Sequence, residues 1–153
     1  MGLPERWSKY PPTTFSTDGK IPEISDGRCH FQVGLFQHTL PSFLQSFSRQ
    51  GRLIVHLDAD LYSSTLFALS SLAPILRESD LLFFDEFASP ASEFRAFDDF
   101  ARAYMLHYDL IGAVNNFNRV CLRINCAADP LCERFEKDGQ PLQRYKVAAR
   151  GAS

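Results

Sequence analysis

Two stretches decide the fold of this chain: Leu53-Ile-Val-His-Leu-Asp-Ala-Asp-Leu-Tyr62 and Leu81-Leu-Phe-Phe-Asp-Glu-Phe87. Each begins with a short apolar run that lacks clean alternation, which is typical of strands buried on both faces of a parallel sheet. Residues 63–80 between them are long enough for the helical crossover that parallel strands require. The sequence therefore predicts an α/β fold, with His56 as a hydrogen-bonded core histidine rather than a base.

Both predicted strands end in a pair of acids, Asp58 and Asp60 after the first and Asp85 and Glu86 after the second. Because parallel neighbours end at the same edge of a sheet, we expect these carboxylates to gather where open α/β sheets bind ligands. Clustered carboxylates repel one another unless a cation or a proton lies among them, and Mg²⁺ prefers oxygen ligands. The pattern indicates a divalent metal site; the alternative is solvated acids in strand-to-loop turns, which are common for Asp.

Helical spacing predicts two helices around the first strand. Residues 39–47 form one, with Pro41 tolerated in its first turn. The other begins at a cap formed by Ser63 or Ser64 and ends at Pro74, because proline interrupts helical hydrogen bonding.

A third helix is predicted after Ser89-Pro90, a cap followed by a first-turn proline. One face of this helix carries aromatic residues that we expect to face the core: Phe94, Phe97, Phe100 and Tyr104. The charged residues of the same helix are expected to lie mostly elsewhere: Glu93, Arg95, Asp99 and Arg102.

The last predicted elements are two strands, residues 108–114 and 119–125, joined by the turn Asn115-Asn-Phe-Asn118 as a hairpin. The expected domain organisation is one folded domain over residues 1–125 and a weakly structured appendage over residues 126–153.

Composition bounds the class of protein. The chain has 153 residues, 45% of them hydrophobic, which suits one folded domain. A net charge of -2 favours neither a nucleic acid nor a membrane surface as partner. No apolar run approaches the ~18 residues of a membrane span, and no signal peptide is evident. The four cysteines lack zinc-site spacing, which indicates reduced thiols and a cytoplasmic location.

The chain resembles the metal-dependent macrocin O-methyltransferase (TylF-type) family of class I S-adenosylmethionine methyltransferases. The most specific part of the resemblance is the Asp-Ala-Asp-Leu-Tyr-Ser-Ser-Thr block followed by Phe-Asp-Glu. The residues that carry it are Gly2-Leu-Pro-Glu5, Phe15-Ser-Thr-Asp-Gly19, Val33-Gly-Leu-Phe-Gln-His-Thr-Leu-Pro41, His56-Leu-Asp-Ala-Asp-Leu-Tyr-Ser-Ser-Thr65, Phe84-Asp-Glu-Phe87 and Glu93-Phe-Arg-Ala-Phe97.

The resemblance implies a Rossmann-like sheet of seven strands and methyl transfer from S-adenosylmethionine to a hydroxyl of a sugar or natural-product scaffold. It implies a divalent metal, Mg²⁺ or Mn²⁺, with Asp58, Asp85 and Glu86 as ligands. Glu86 stands where many relatives have Asp; it preserves the charge but is one methylene longer. Asp58 is also the candidate base that takes the proton from the small-molecule hydroxyl substrate.

The resemblance also implies a glycine-rich turn for the cofactor and a ribose-binding acid before the Gly2-Leu-Pro-Glu5 segment. The eight glycines of this chain form no such cluster. We therefore expect residues 1–125 to be a partial methyltransferase domain, the C-terminal portion of a methyltransferase sheet arranged strand-helix-strand-helix-hairpin. We also expect negligible S-adenosylmethionine binding by this polypeptide alone. The expected partner is another copy of the chain or a complementary N-terminal polypeptide.

Three alternatives stay open. The first is a non-catalytic partial or degenerate methyltransferase subunit. The second is a haloacid-dehalogenase-type phosphatase, which also begins at hydrophobic-Asp-x-Asp but has Thr or Val where Tyr62 stands here. The third is a glycosyltransferase that holds a metal and a sugar nucleotide with Asp-Ala-Asp, an arrangement in which the Phe-Asp-Glu strand has no place.

Overall fold

The computed structural model describes residues 3–18 and 20–125, and the predicted appendage at residues 126–153 lies outside them. In the described part, helices and strands alternate before a final hairpin. The elements are α1 (Phe36–Ser46), β1 (Ile54–Leu57), α2 (Tyr62–Leu72), β2 (Leu81–Phe84), α3 (Glu93–Ala103), β3 (Tyr108–Val114) and β4 (Arg119–Ile124). None of the described helices is long and apolar enough to cross a membrane.

The strands form one four-stranded sheet in the order β1-β2-β4-β3. β1 and β2 are parallel, with Leu57 opposite Phe84, and α2 provides the crossover between them. β4 lies antiparallel between β2 and β3. The predicted α/β class, the parallel pair and the terminal hairpin are confirmed.

The hairpin turn has an unusual backbone. Asn115, Asn116 and Phe117 have φ angles of 52°, 53° and 62°, in the left-handed region that few non-glycine residues adopt. Asparagine tolerates this region better than most residues because its short side chain can hydrogen-bond locally. The two asparagines thus account for the tight reversal between β3 and β4 that the sequence predicted.

The predicted serine cap of α2 is wrong. The helix begins at Tyr62, so Ser63 and Ser64 lie inside it, and Leu61 before it makes no side-chain capping bond. The Ser63 hydroxyl instead donates to the Glu5 carboxylate at 2.5 Å, which ties the N-terminal segment to α2. The predicted end of the helix is confirmed, because Pro74 lies in a 3₁₀ turn directly after it.

The predicted Ser89-Pro90 cap of α3 is also wrong. The helix begins at Glu93, and the Ser92 hydroxyl donates to that of Ser89 in the turn before it. Phe97 and Phe100 face the core as predicted, whereas the ends of the aromatic stripe are more exposed. Glu93, predicted outside the core face, is fully buried.

The core lies between one face of the sheet and the helices α2 and α3. Leu57, Leu82 and Phe84 project from the strands, and they meet Leu69 of α2 and Phe97 of α3 in one apolar cluster. Burying such side chains contributes about 1.5–3 kcal/mol each. This cluster fixes the positions of the two strand ends and of both helices.

The opposite face of the sheet is not buried, so the prediction that β1 is covered on both faces is wrong. Ile54 is 62% exposed, and His56 on the same face is exposed too, so it is not a core histidine. The reason is that β1 is an edge strand, paired with β2 alone among the described residues, with α2 and α3 on the other face.

Candidate active site

The parallel pair brings Asp58 and Asp85 to the same edge of the sheet. Leu57 lies opposite Phe84, and the Asp85 N–H donates to the Leu57 carbonyl at 3.1 Å, so the two acids follow their strands at one level. The Asp58 side chain is exposed, whereas those of Asp85 and Glu86 are half-buried. The structure thus places the three predicted site residues at neighbouring strand ends.

The pKa of Asp60 is affected by the other three acids at this edge. Burial raises the pKa of Asp60 above its usual value, and the charges of Asp58, Glu86 and Asp85 raise it further. Its φ angle of 57° is left-handed, a conformation that Asp adopts more readily than most residues. All four acids therefore share one electrostatic environment, as expected from their sequence positions.

A cation from the hairpin enters this acidic edge. Arg119, the first residue of β4, forms an ion pair with Asp85, with 2.5 Å between Nε and Oδ1. The next residue, Val120, lies opposite Phe84, which brings Arg119 beside Asp85. The sequence analysis missed Arg119 because 34 residues separate it from Asp85 and no local pattern links them.

Asn118 joins the same edge from the hairpin turn. Its side-chain amide donates to the Asp85 carbonyl at 3.0 Å, and its own carbonyl accepts the Phe87 N–H at 2.7 Å. The turn between β3 and β4 is thereby hydrogen-bonded to the loop that follows β2. This contact holds Arg119 in reach of Asp85.

A second residue that sequence reasoning missed is Glu93. Its carboxylate accepts the N–H of Ala59 at 2.9 Å and the N–H of Glu86 at 3.1 Å. Burial raises the pKa of Glu93, the backbone amides of Ala59, Glu86 and Asp60 oppose this, and the charge of Asp58 adds to the rise. The only sequence sign of this residue is its position in the Glu93-Phe-Arg-Ala-Phe97 segment.

The acids fit a divalent cation in chemistry but do not converge on one point. Carboxylate oxygens are the ligands that Mg²⁺ and Mn²⁺ prefer. Among residues 3–18 and 20–125, however, no group of three or more Asp, Glu, His or Cys side chains is arranged to hold a metal ion. Asp85 instead forms an ion pair with Arg119.

A cavity of about 230 Å³ borders the acidic edge. Its walls come from four parts of the chain: the N-terminal loops, the start of α1 with the residues just before it, the loop after β1, and the first turn of α2. The lining residues are Leu3, Pro4, Phe15, Gly34, Leu35, Phe36, Gln37, Asp58, Ala59, Asp60 and Ser64. Apolar walls with a few polar groups are typical of small-molecule sites.

Gly34 is required at the wall of this cavity. Its φ angle is +156°, and a Cβ at this position would lie 2.6 Å from Cγ2 of Thr39 in α1. A larger residue would therefore require the Thr39 side chain or the loop at Gly34 to shift, next to the start of α1 that lines the cavity. The glycine allows the loop before α1 to pass close to the helix.

Comparison with known proteins identifies the class to which this fold and acidic edge belong. A model of the macrocin-O-methyltransferase (TylF) family matches residues 19–118. Because the match covers well over half of the 153 residues, the chain belongs to this family. Membership of a methyltransferase family implies the use of S-adenosylmethionine.

The matched region holds β1, β2, α3 and all four strand-end acids, while the Gly2-Leu-Pro-Glu5 segment of the resemblance lies before it. The comparison with curated proteins gave no match, and neither did the comparison with solved structures. The family assignment therefore rests on the family model.

Proposed function

We propose that the acidic edge and its cavity form an O-methyltransferase site for a small-molecule hydroxyl. The observation that carries this proposal is the placement of Asp58, Asp85 and Glu86 at adjacent parallel strand ends in a chain of the macrocin-O-methyltransferase family. We also propose that the four-stranded sheet is the C-terminal portion of a Rossmann-like class I methyltransferase sheet. The parallel strands with a helical crossover and the antiparallel hairpin support this assignment.

The proposed metal site uses Asp58, Asp85 and Glu86 as ligands for Mg²⁺ or Mn²⁺. The raised pKa of Asp60 supports it, because the mutual repulsion that causes part of this rise is what a bound cation would offset. Asp85 would exchange Arg119 for the metal. A cation held there would polarise a substrate hydroxyl and lower its pKa.

Residues of the chain would prepare the hydroxyl for methyl transfer. Asp58 is exposed at the cavity wall, where its carboxylate would take the hydroxyl proton as the oxygen–carbon bond forms. Leu3, which is buried, lines the same cavity and would exclude water from that side of the acceptor. S-adenosylmethionine, when bound, supplies an electrophilic methyl group and retains the electron pair of the broken carbon–sulfur bond.

The metal proposal is tested by thermal unfolding with and without Mn²⁺. A ligand that prefers the native state raises the melting temperature by mass action, so wild type should gain and Asp85→Asn should lose most of that gain. Asp109→Asn is the matched control, because Asp109 also pairs with an arginine across the sheet, Arg123 at 2.8 Å. Equal shifts in all three proteins would refute the metal assignment.

The ion pair between Asp85 and Arg119 favours a second candidate, a non-catalytic methyltransferase-family subunit in which the acid is structural. Arg119→Ala separates the two functions. If Asp85 is a metal ligand, removal of its competitor should strengthen Mn²⁺ binding by several-fold in calorimetry. If the pair is structural only, neither wild type nor Arg119→Ala should bind Mn²⁺.

A further inference from the structure

Glu93 places an ionisable carboxyl group in a fully buried position. A buried carboxylate loses its hydration and persists only when hydrogen bonds or counter-charges replace it. Glu93 is fully buried at the first position of α3, and none of the ion pairs among the described residues includes it. Backbone N–H groups therefore supply its compensation.

The donors to Glu93 come from two separate loops. Oε1 accepts the N–H of Ala59, which lies between Asp58 and Asp60 after β1. Oε2 accepts the N–H of Glu86, which follows β2. One carboxylate group thus bridges the loops that carry the two acid pairs.

An acid in the first turn of α3 is favoured by the helix dipole, but helix stability alone does not account for this arrangement. The charge of Asp58 acts against the ionised form of Glu93, and an apolar side chain would avoid both the repulsion and the desolvation. The helix itself is fixed by Phe97 and Phe100, which are buried in the core. Glu93 therefore projects from a rigid element onto two loops, which is how supporting residues hold a site in place.

We propose that Glu93 is a positioning residue that sets the separation between the loop of Asp58 and Asp60 and the loop of Asp85 and Glu86. Two oxygens on one rigid group leave the backbone amides of Ala59 and Glu86 little freedom to move apart. Its consequence for metal binding rests on the proposed function; its effect on the loops does not.

Amide hydrogen exchange tests the positioning role without metal. Glu93→Gln keeps the shape but replaces one acceptor oxygen with an NH₂ group, so at least one of the two hydrogen bonds is lost. We expect exchange at Ala59 or Glu86 to speed up about ten- to hundredfold, while the amides of β2 and β4 stay at wild-type rates. Asp98→Asn is the matched control, because Asp98 lies on the same helix and forms an exposed ion pair with Arg102.

Glu93→Asp covers the case in which Glu93→Gln fails to fold. It keeps the charge but is one methylene shorter, so it cannot reach both loops and should also release at least one amide. Wild-type exchange at both Ala59 and Glu86 in whichever variant folds would overturn the proposal.

The affinity for Mn²⁺ then tests whether the position of the two loops matters for metal binding. Loss of a supporting residue typically costs 10–100-fold in metal affinity, so both Glu93 variants should bind Mn²⁺ about 10–100-fold more weakly than wild type and Asp98→Asn. Unchanged affinity in a variant with released amides would overturn the role of Glu93 at the site. If wild type does not bind Mn²⁺, the metal proposal fails, and the exchange rates alone decide the positioning role.

Discussion

Charged residues lie at both ends of the pair of strands β1 and β2. The two ends differ in whether a counter-charge and hydrogen bonds neutralise those charges. At the amino end, Asp80 is fully buried and pairs with Arg49, with 2.7 Å between its Oδ2 and Nη1. Its remaining acceptor sites take the N–H groups of Leu53 and Arg77. The charge at this end is neutralised, and its hydrogen bonds join the starts of both strands.

At the carboxyl end, four acids gather beside a single described ion pair, that of Asp85 with Arg119. Asp58 is exposed. Burial and the negative charges of the neighbouring acids disfavour the ionised form of Asp60 and so raise its pKa. The same fold thus tolerates unbalanced charge at one end of two strands while balancing it at the other. The comparison indicates that the amino end serves stability and that the carboxyl end is available for chemistry.

The largest expected effect is at the amino end. Asp80→Ala removes the carboxylate partner of Arg49 and the acceptor of two backbone N–H groups, and breaking a buried ion pair costs about 3–5 kcal/mol. Denaturant unfolding should show this loss. The double variant Asp80→Leu with Arg49→Met should recover the part of the loss that comes from the unpaired charge, whereas the N–H groups of Leu53 and Arg77 still lack this acceptor. A loss below about 1 kcal/mol in Asp80→Ala would remove the distinction between the two ends.

The next largest effect is expected along the unpaired edge of strand β1, away from both of its ends. β1 has no second strand partner in the part of the chain that the structure describes, and Ile54 is 62% exposed. Exposed edges pair with other copies, so we expect self-association, weakened by Ile54→Lys about tenfold in sedimentation experiments. The control is Ile24→Lys, an apolar residue that lies outside the sheet in a loop and is 53% exposed. A monodisperse wild-type monomer would contradict the expectation.

A smaller effect is expected at the carboxyl end without metal. Asp85→Asn removes one of four mutually repelling acids and weakens a partly exposed pair with Arg119, and such pairs contribute about 0–1 kcal/mol. Its free energy of unfolding should therefore lie within about 1 kcal/mol of wild type. A loss comparable to that of Asp80→Ala would show that the carboxyl end is structural as well.

The smallest effect is expected at the exposed ion pair between Asp109 and Arg123. A hydrogen bond from Arg123 and, to a smaller extent, one from Asn125 lower the pKa of Asp109 below its usual value. Arg123→Ala should raise that pKa towards the ordinary value, measured by NMR titration. Because the folded-state pKa is the lower one, the stability from this pair is present above the unfolded-state pKa and is lost as pH falls through the folded-state pKa. An unmoved pKa would show that Arg123 does not act on Asp109.

The sequence predicted those features of the fold that depend on local patterns. Apolar runs located β1 and β2, and turn residues located the hairpin. The acids at the strand ends followed from parallel topology alone. The serine caps of α2 and α3 were wrong, because Ser63 bonds to Glu5 and Ser92 to Ser89 rather than to helix amides.

The supporting partners of the site could not be read from the sequence. Glu93 reaches Ala59 across 34 residues, and Arg49 reaches Asp80 across 31. Helical periodicity placed Glu93 outside the aromatic face, and it could not show that two loops fold over the start of α3. Such contacts depend on how elements pack in three dimensions, which local rules do not encode.

The bond between the hairpin turn and the loop after β2 has a consequence for the order of folding. Asn118 holds the backbone at Asp85 and Phe87, so the acidic edge is complete only after β3 and β4 have closed. During synthesis the two strands that bear the acids leave the ribosome first, and the hairpin follows. The acidic edge should therefore mature last, after the core between the sheet and its helices has formed.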